Sequence, residues 1–316
     1  MNIFERIKFW FLNSRPFSLP MTILPWLCVF IYSLKEGGNI LNGIVALIGV
    51  LFAHMATNLV DDYIDYKSLN FTEINYKTKF KYLSDGSSNV FELRNVIILY
   101  CLIAMFAGFY LFLNCGFMVV ILSVIGGIIV LSYPHLSSAG FGELAVAVAF
   151  GPLLFEGVHY VMTENLSLPV LILSFAIVSF VTILLFVNNL LDFDKDIDNN
   201  KTTLAVRLGK DSSIKFFYAL GIEGYFWVVI YGIITKNFFV LAAFLTIPLL
   251  ISLGESLKNY FIDKTLKPAV NWWNFPLENW DMLLKEGTAP FYFNLLTARN
   301  LAIWVSLIIS LALLIS

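Results

Sequence analysis

The sequence predicts an all-α polytopic membrane protein of about nine transmembrane helices. Three observations predict it. Hydrophobic residues make up 59% of the 316-residue chain and charged residues 13%, against about 25% charged in an ordinary soluble domain. Apolar runs of about 20 residues, enough to cross a hydrocarbon core as a helix, recur along the whole length. Lys and Arg are split unevenly between the segments that join those runs.

Taken in order, residues 1–18 are mixed and amphipathic and lack the small-residue cleavage site of a secretory signal. Spans are expected near 19–34, 41–64, 95–113, 116–133, 143–162, 168–191, 214–235, 237–257 and 299–316. Pro20 and Pro25 shape the first, Gly140-Phe141-Gly142 introduces the fifth, and Leu168-Pro169 opens the sixth. With the N-terminus in the cytoplasm, 18 of the 20 Lys and Arg fall in cytoplasmic segments, and only Lys35 and Lys236 lie outside. That asymmetry predicts a multi-pass cell-membrane protein whose N-terminus faces the cytoplasm. Cytoplasmic cap loops are expected near 66–94, with Lys67, Lys77, Lys79 and Lys81, and near 192–214. The stretch near 258–297 mixes Trp272, Trp273, Trp280, Phe291 and Tyr292 with polar residues, the composition of an interfacial segment that anchors the protein on the membrane. The whole chain, 1–316, reads as one domain. Cys28, Cys101 and Cys115 sit in or beside apolar runs without metal-ligand spacing and read as small core residues. A net charge of −2 carries no information about partners, and no nucleic-acid partner is expected.

Two acid clusters interrupt this apolar chain: Asn58-Leu-Val-Asp61-Asp62-Tyr-Ile-Asp65 and Asn188-Asn189-Leu-Leu-Asp192-Phe-Asp194-Lys-Asp196-Ile-Asp198. Each closes a long apolar run, so both should lie where a helix meets the cytoplasm. Carboxylates at close range repel by roughly 4 kcal/mol per pair at an effective dielectric near 20, which calls for a cation. Mg²⁺ holding a phosphorylated substrate is the first expectation. On a helix Asn58, Asp62 and Asp65 share one face, with Asp61 adjacent and His54 one turn earlier; Asn188, Asp192 and Asp196 form a second stripe. Solvated helix caps would not need the four acids of the second run. An EF-hand is excluded, because Ile197 stands at the turn position and Thr203 at the twelfth. The motifs Asn58-x-x-x-Asp62-Tyr63 and Asn188-x-x-x-Asp192-Phe193 form a faint repeat.

The two clusters resemble the signatures of the UbiA-type intramembrane aromatic prenyltransferases. Within that family the chain is most similar to the 1,4-dihydroxy-2-naphthoate polyprenyltransferases of menaquinone synthesis. The resemblance extends over Arg15-Pro-Phe-Ser-Leu-Pro20, Gly142-Glu-Leu-Ala, Phe150-Gly-Pro152 and Lys201-Thr-Thr-Leu-Ala-Val-Arg-Leu-Gly209. It implies helices bundled around a central cavity open to lipid. It also implies a polyprenyl diphosphate and an aromatic acceptor as substrates, with Mg²⁺ bridging the clusters. Asp61, Asp62, Asp65, Asp192 and Asp196 are then the expected metal ligands, Asn58 and Asn188 orient the diphosphate, and Lys201 and Arg207 are candidate diphosphate contacts. Tyr133 is expected beside the reacting prenyl carbon, where its ring face can stabilise a cation. Glu156 and His159, three residues apart inside the fifth span, form an intramembrane ionisable pair and are expected to line the acceptor pocket. Alternative acceptors within the family are 4-hydroxybenzoate, a porphyrin or a lipid. From a different class, a secondary transporter also carries repeats and intramembrane acids, although its coupling acids usually sit near the bilayer midplane.

Overall fold

The computed structural model describes residues 2–68 and 81–316, without the side chains of Asp65, Ser68, Lys81 and Ser84. The expectations for Lys77 and Lys79, and for the side chains of Asp65 and Lys81, therefore lie outside the described residues. Among the described residues nine helices are long and apolar enough to cross a membrane: Pro16–Lys35, Ile40–Ile64, Val90–Cys115, Met118–Ser138, Gly142–Thr163, Leu168–Leu191, Leu204–Thr235, Phe238–Ile262 and Ala289–Ile315. These are spans one to nine of a multi-pass, all-helical membrane protein. A short helix, Ile3–Asn13, precedes them, opened by a capping box between Asn2 and Glu5.

The sixth span is the central pillar. It carries no charged residue and is apolar on every side, as a helix enclosed by other helices must be, and 83% of its apolar window is buried. Only 11% is buried in spans three and four, which form an outer flank. The first, seventh and ninth spans pack around the sixth, and the second packs against the third.

Three spans depart from simple rods. In the fifth, Pro152 removes a helix hydrogen bond and crowds the preceding turn; the helix widens into a π-type turn at Ala149–Leu153, with Gly151 at φ −96°, ψ −113°. The seventh starts at Leu204, ten residues before the expected 214, and is broken at Gly209, whose φ of +74° only glycine adopts without strain. Lys210, Asp211, Ser212 and Ser213 dilute the hydropathy there while the chain stays helical. The ninth likewise starts at Ala289, not near 299, with Pro290 in its first turn. Its polar residues Asn294, Thr297, Arg299 and Asn300 are buried in the bundle, so low hydropathy there marks an inward face.

The 258–297 stretch also differs from expectation. Trp272 is exposed, as an interfacial anchor would be. The residues after it fold into the protein: Asn300 Nδ2 donates to the carbonyls of Asn274 and Pro276 at 2.8 Å each, and Asn274 Nδ2 donates to Ser252 Oγ at 3.1 Å. Buried carbonyls need such partners, and these pin the segment against spans eight and nine.

At the end of the bundle opposite the acid clusters, Lys35 Nζ and Asn237 Nδ2 both donate to Ser316 Oγ. The two lysines that the charge count left outside, Lys35 and Lys236, therefore share one end.

Candidate active site

Both acid clusters line a single cavity of about 2090 Å³, walled by spans one to six, the loop after the sixth span, and residues 278–299. Its wall is polar near the clusters and apolar beyond, where Gly49, Ala53, Gly108, Gly126 and Gly157 leave room between the second to fifth spans. Met105, Phe109, Val124 and Leu131 belong to that wall and are each more than half exposed. The cavity therefore opens sideways between the flanking helices.

The first cluster is built on the last turns of the second span. Asp62 is 1% exposed. Arg15 Nη1 and Nη2 both reach Asp61 Oδ2 at 3.2 Å, and Nη2 also bonds Asp62 Oδ1. Arg15 sits in the left-handed region at φ +59°, a conformation unfavourable for a residue with a Cβ. The second span holds it there. Asn58 Nδ2 donates to Ser14 O at 3.0 Å and Ser18 Oγ at 3.3 Å, and Ser18 Oγ donates to Arg15 O at 2.8 Å. With its hydrogen on Arg15 O, Ser18 Oγ accepts from His54 Nε2 at 3.2 Å, which leaves Nδ1 to accept from Thr22 Oγ1 at 2.6 Å. His54 and Asn58 thus fix the turn that delivers Arg15. The sequence reading placed Arg15 in a motif but gave it no site role; its partners are 46 and 47 residues away, and no local pattern pairs them.

Tyr82, from the expected 66–94 cap, donates its hydroxyl to Asp62 Oδ2 at 3.0 Å. It is held edge-on by Trp10 and Phe9. Burial, and then the Asp62 charge, push the Tyr82 hydroxyl well above its ordinary range, so it stays a donor.

In the second cluster the long helix ends at Leu191 and a short helix, Phe193–Asp198, follows. Asn188, Asn189, Asp192, Lys195, Asp196, Asp198 and Lys201 all line the cavity. The expected stripe is therefore bent at Asp192, which caps the span, but its members stay on one side. Asp194 turns away to Lys264 at 2.7 Å and Lys210 at 3.4 Å. The Lys264 hydrogen bond, which is the main cause, and both ammonium charges hold its carboxyl below the usual range. Asp196 accepts from Thr203 Oγ1 at 3.2 Å, and its carbonyl takes the Lys201 N–H at 2.8 Å. That bond folds the loop back so that Lys201 reaches the cavity.

Tyr133 lies on the cavity wall. Three expected site residues do not. Arg207 Nε donates to Thr202 O at 3.2 Å, and its guanidinium lies over the Phe141 ring, against Gly140; it braces the outside of the loop. Glu156 accepts from the Ser167 N–H at 3.1 Å. His159 Nδ1 bonds Ser33 Oγ at 2.9 Å. The pair does not line the cavity; the intervening face of that helix, Gly157, Val158 and Val161, does. Glu156 instead holds the loop backbone at Ser167, and His159 holds the Ser33 side chain of the first span, near the end remote from the acids.

Glu143, quoted in a motif but assigned no role, is 4% exposed and accepts from Asn189 Nδ2 at 2.8 Å, while its Oε2 has no partner among the described residues. A lone acid so close to the start of a membrane span was the available signal. It orients Asn189 toward the cavity.

The cluster donors facing the cavity are oxygens, which suit a hard cation such as Mg²⁺. Among the described residues no three His, Cys, Asp or Glu side chains form a ready-made cage. Mg²⁺ characteristically takes one or two carboxylates and completes its shell with water and substrate phosphate; Asp192 and Asp196 on the cavity wall fit that use, and Asp62 fits it by exchanging a bond to Arg15 or Tyr82 for the ion.

A profile described as the UbiA prenyltransferase family matches residues 22–275. The chain is 24% identical over 221 residues to a 1,4-dihydroxy-2-naphthoate octaprenyltransferase of Haemophilus influenzae, covering 65% of this chain and 70% of that one. Its fold is similar to that of a UbiA homolog from Aeropyrum pernix, with TM-score 0.61 and 16% identity over 93% of this chain and 97% of that one. It is also similar to a UbiA homolog from Archaeoglobus fulgidus bound to DMAPP and Mg²⁺, with TM-score 0.57 and 13% identity over 93% and 98%.

Proposed function

The chain belongs to the UbiA prenyltransferase family, and from that premise we propose that it moves a polyprenyl group from its diphosphate to a ring carbon of 1,4-dihydroxy-2-naphthoate, at the cytoplasmic face. The enzyme class follows from the family, and the secondary-transporter alternative falls with it. The observation that carries the reaction is the junction, in one cavity, of two acid clusters and a long apolar wall. A prenyl diphosphate is itself a charged head on an apolar tail. The naphthoate acceptor is supported by the likeness to the Haemophilus influenzae enzyme, and the cytoplasmic orientation by the placing of 18 of 20 Lys and Arg.

Asp62, Asp192 and Asp196 would hold Mg²⁺, with Asp61 and Asp65 in the same cluster, while Asn188 and Asn189 would orient the diphosphate oxygens. Mg²⁺ when bound supplies positive charge where the leaving group becomes more negative. Lys195 and Lys201 reach the cavity from the loop and act on the same oxygens. Breaking the allylic C–O bond sends its electron pair out with pyrophosphate. The electron-rich ring then supplies the pair for the new C–C bond, and the attacked carbon sheds its hydrogen as a proton. Tyr133 presents a ring face to the allylic cation, and the apolar wall keeps water from capturing it.

The test incubates purified protein with Mg²⁺, prenyl diphosphates of several lengths, and 1,4-dihydroxy-2-naphthoate or 4-hydroxybenzoate, and reads product masses. A prenylated product from the naphthoate alone is expected. Turnover of 4-hydroxybenzoate instead would overturn the acceptor, and no product with any acceptor would overturn the transfer reaction.

A further inference from the structure

We propose that Arg299 is the residue that recognises the anionic group of the acceptor, and that Glu278 is a built-in stand-in for that anion. The proposal rests on the transfer reading above and adds to it a specificity-determining pair.

Tyr292, Leu295, Leu296 and Arg299 lie on one face of the ninth span, and that face lines the cavity. Arg299 is the last of them, ten residues into the helix and so about 15 Å from its start. It is 8% exposed. A buried arginine is costly unless it is fully hydrogen-bonded, so one that lines a cavity is a functional candidate.

Its hydrogen bonding is incomplete. Nη2 contacts both oxygens of Glu278 at 2.7 Å and also reaches Asn300 Oδ1 at 3.2 Å, while Nε is buried with no partner among the described residues. A guanidinium binds a carboxylate best through two parallel N–H bonds from different nitrogens. Glu278 instead crowds one nitrogen and leaves another donor unused. The partners also differ in mobility of setting: the Glu278 side chain is 52% exposed, that of Arg299 10%. Glu278 can therefore swing out to solvent at little cost, whereas Arg299 cannot leave. An aromatic acid entering the cavity offers the guanidinium the same carboxylate chemistry once Glu278 has swung out. Neither the acid clusters nor Lys195 and Lys201 are involved, so acceptor recognition and diphosphate recognition sit on different elements.

The two partners then have opposite effects, which a structural salt bridge would not produce. Binding of 1,4-dihydroxy-2-naphthoate and of the neutral 1,4-dihydroxynaphthalene is measured on the full chain in lipid nanodiscs by fluorescence quenching, without prenyl diphosphate. The wild type should favour the acid by about tenfold or more, as charge-assisted bonds allow. E278Q removes the competitor and should tighten the acid several-fold while leaving the diol unchanged. R299Q should abolish the preference, and R299K should keep part of it. Melting temperatures of all three variants report folding. If R299Q does not fold, E278Q and R299K still decide. Loss of acid binding in E278Q, or parallel weakening of both ligands in every variant, would overturn the proposal. Product formation is scored separately: a wild type that shows this binding pattern yet transfers no prenyl group would sink the transfer reading and leave the anion site standing.

Discussion

Replacing Arg15 by Gln removes a guanidinium that bridges Asp61 and Asp62. The Asp62 side chain is 2% exposed and that of Arg15 24%, so the pair is largely shielded from water. Removing one partner of a buried ion pair costs up to about 3–5 kcal/mol, because the charge left behind has lost its nearest compensation. Direct repulsion between the two carboxylates, roughly 4 kcal/mol at about 4 Å and a dielectric near 20, describes the same loss in another way. The Tyr82 hydrogen bond to Asp62 survives and keeps the cost toward the lower figure. At roughly 2 °C per kcal/mol for a chain of this size, R15Q should melt roughly 6–10 °C below wild type in metal-free detergent buffer, followed by intrinsic fluorescence. Mg²⁺ should recover part of that deficit, raising the melting point of R15Q more than that of wild type, since a divalent cation replaces the missing charge. D61N in the R15Q background should recover part of it without metal, because the two changes share one interaction. An unchanged melting temperature for R15Q, or an equal Mg²⁺ shift in both proteins, would refute the assignment of Arg15 as the counter-charge of the first cluster.

Other outcomes follow from the same geometry. D192N and D196N should each lose at least ~100-fold in turnover, the scale of one lost electrostatic stabiliser, with little change in melting, since D196N still accepts from Thr203 and D192N loses only a half-exposed bridge to Lys195; near-normal product formation in saturating Mg²⁺ would remove these residues from the site. D194N should destabilise by about 1 kcal/mol or less, because the bridge to Lys264 and Lys210 is half-exposed. A carboxyl held below its ordinary value stabilises above that value and stops doing so as pH falls through its folded pKa, so wild type and D194N should melt apart near neutral pH and together in strong acid. Cys115 is buried, its Sγ donating to Val161 O, and cannot report topology. E164C in a Cys101→Ser background should instead react with an impermeant thiol reagent on intact cells; labelling only after lysis would invert the orientation.

Each span was legible where its apolar run is continuous. The sixth, expected at 168–191, is Leu168–Leu191. Two starts were missed for opposite reasons. Lys210, Asp211 and Ser212 are polar and lie on the outside of the protein just after the Gly209 break, whereas Asn294, Thr297, Arg299 and Asn300 are polar because they face inward. Hydropathy averages over a helix and cannot separate those cases. The acid clusters were legible because each is local, and their junction in one cavity followed from both closing spans at the same end. Arg15, Tyr82, Glu143 and the Glu278–Arg299 pair were not, since each takes its meaning from a partner at least 20 residues away. Glu156 and His159 show the converse error. Spacing of three residues places two groups on one side of a helix, but does not say which side meets the cavity.

The sideways opening beside Met105, Phe109, Val124 and Leu131 changes what concentration means for this enzyme. A tail that enters between helices is drawn from the bilayer, and a lipophilic product leaves into it, without either crossing water. Occupancy is then set by the fraction of surrounding amphiphile that is substrate, not by the amount per litre of buffer. Adding inert lipid or detergent at fixed total substrate dilutes the enzyme's effective supply, and rates should fall accordingly. The head group and the acid clusters obey bulk solution chemistry; the tail obeys the two-dimensional mixture in which the protein floats.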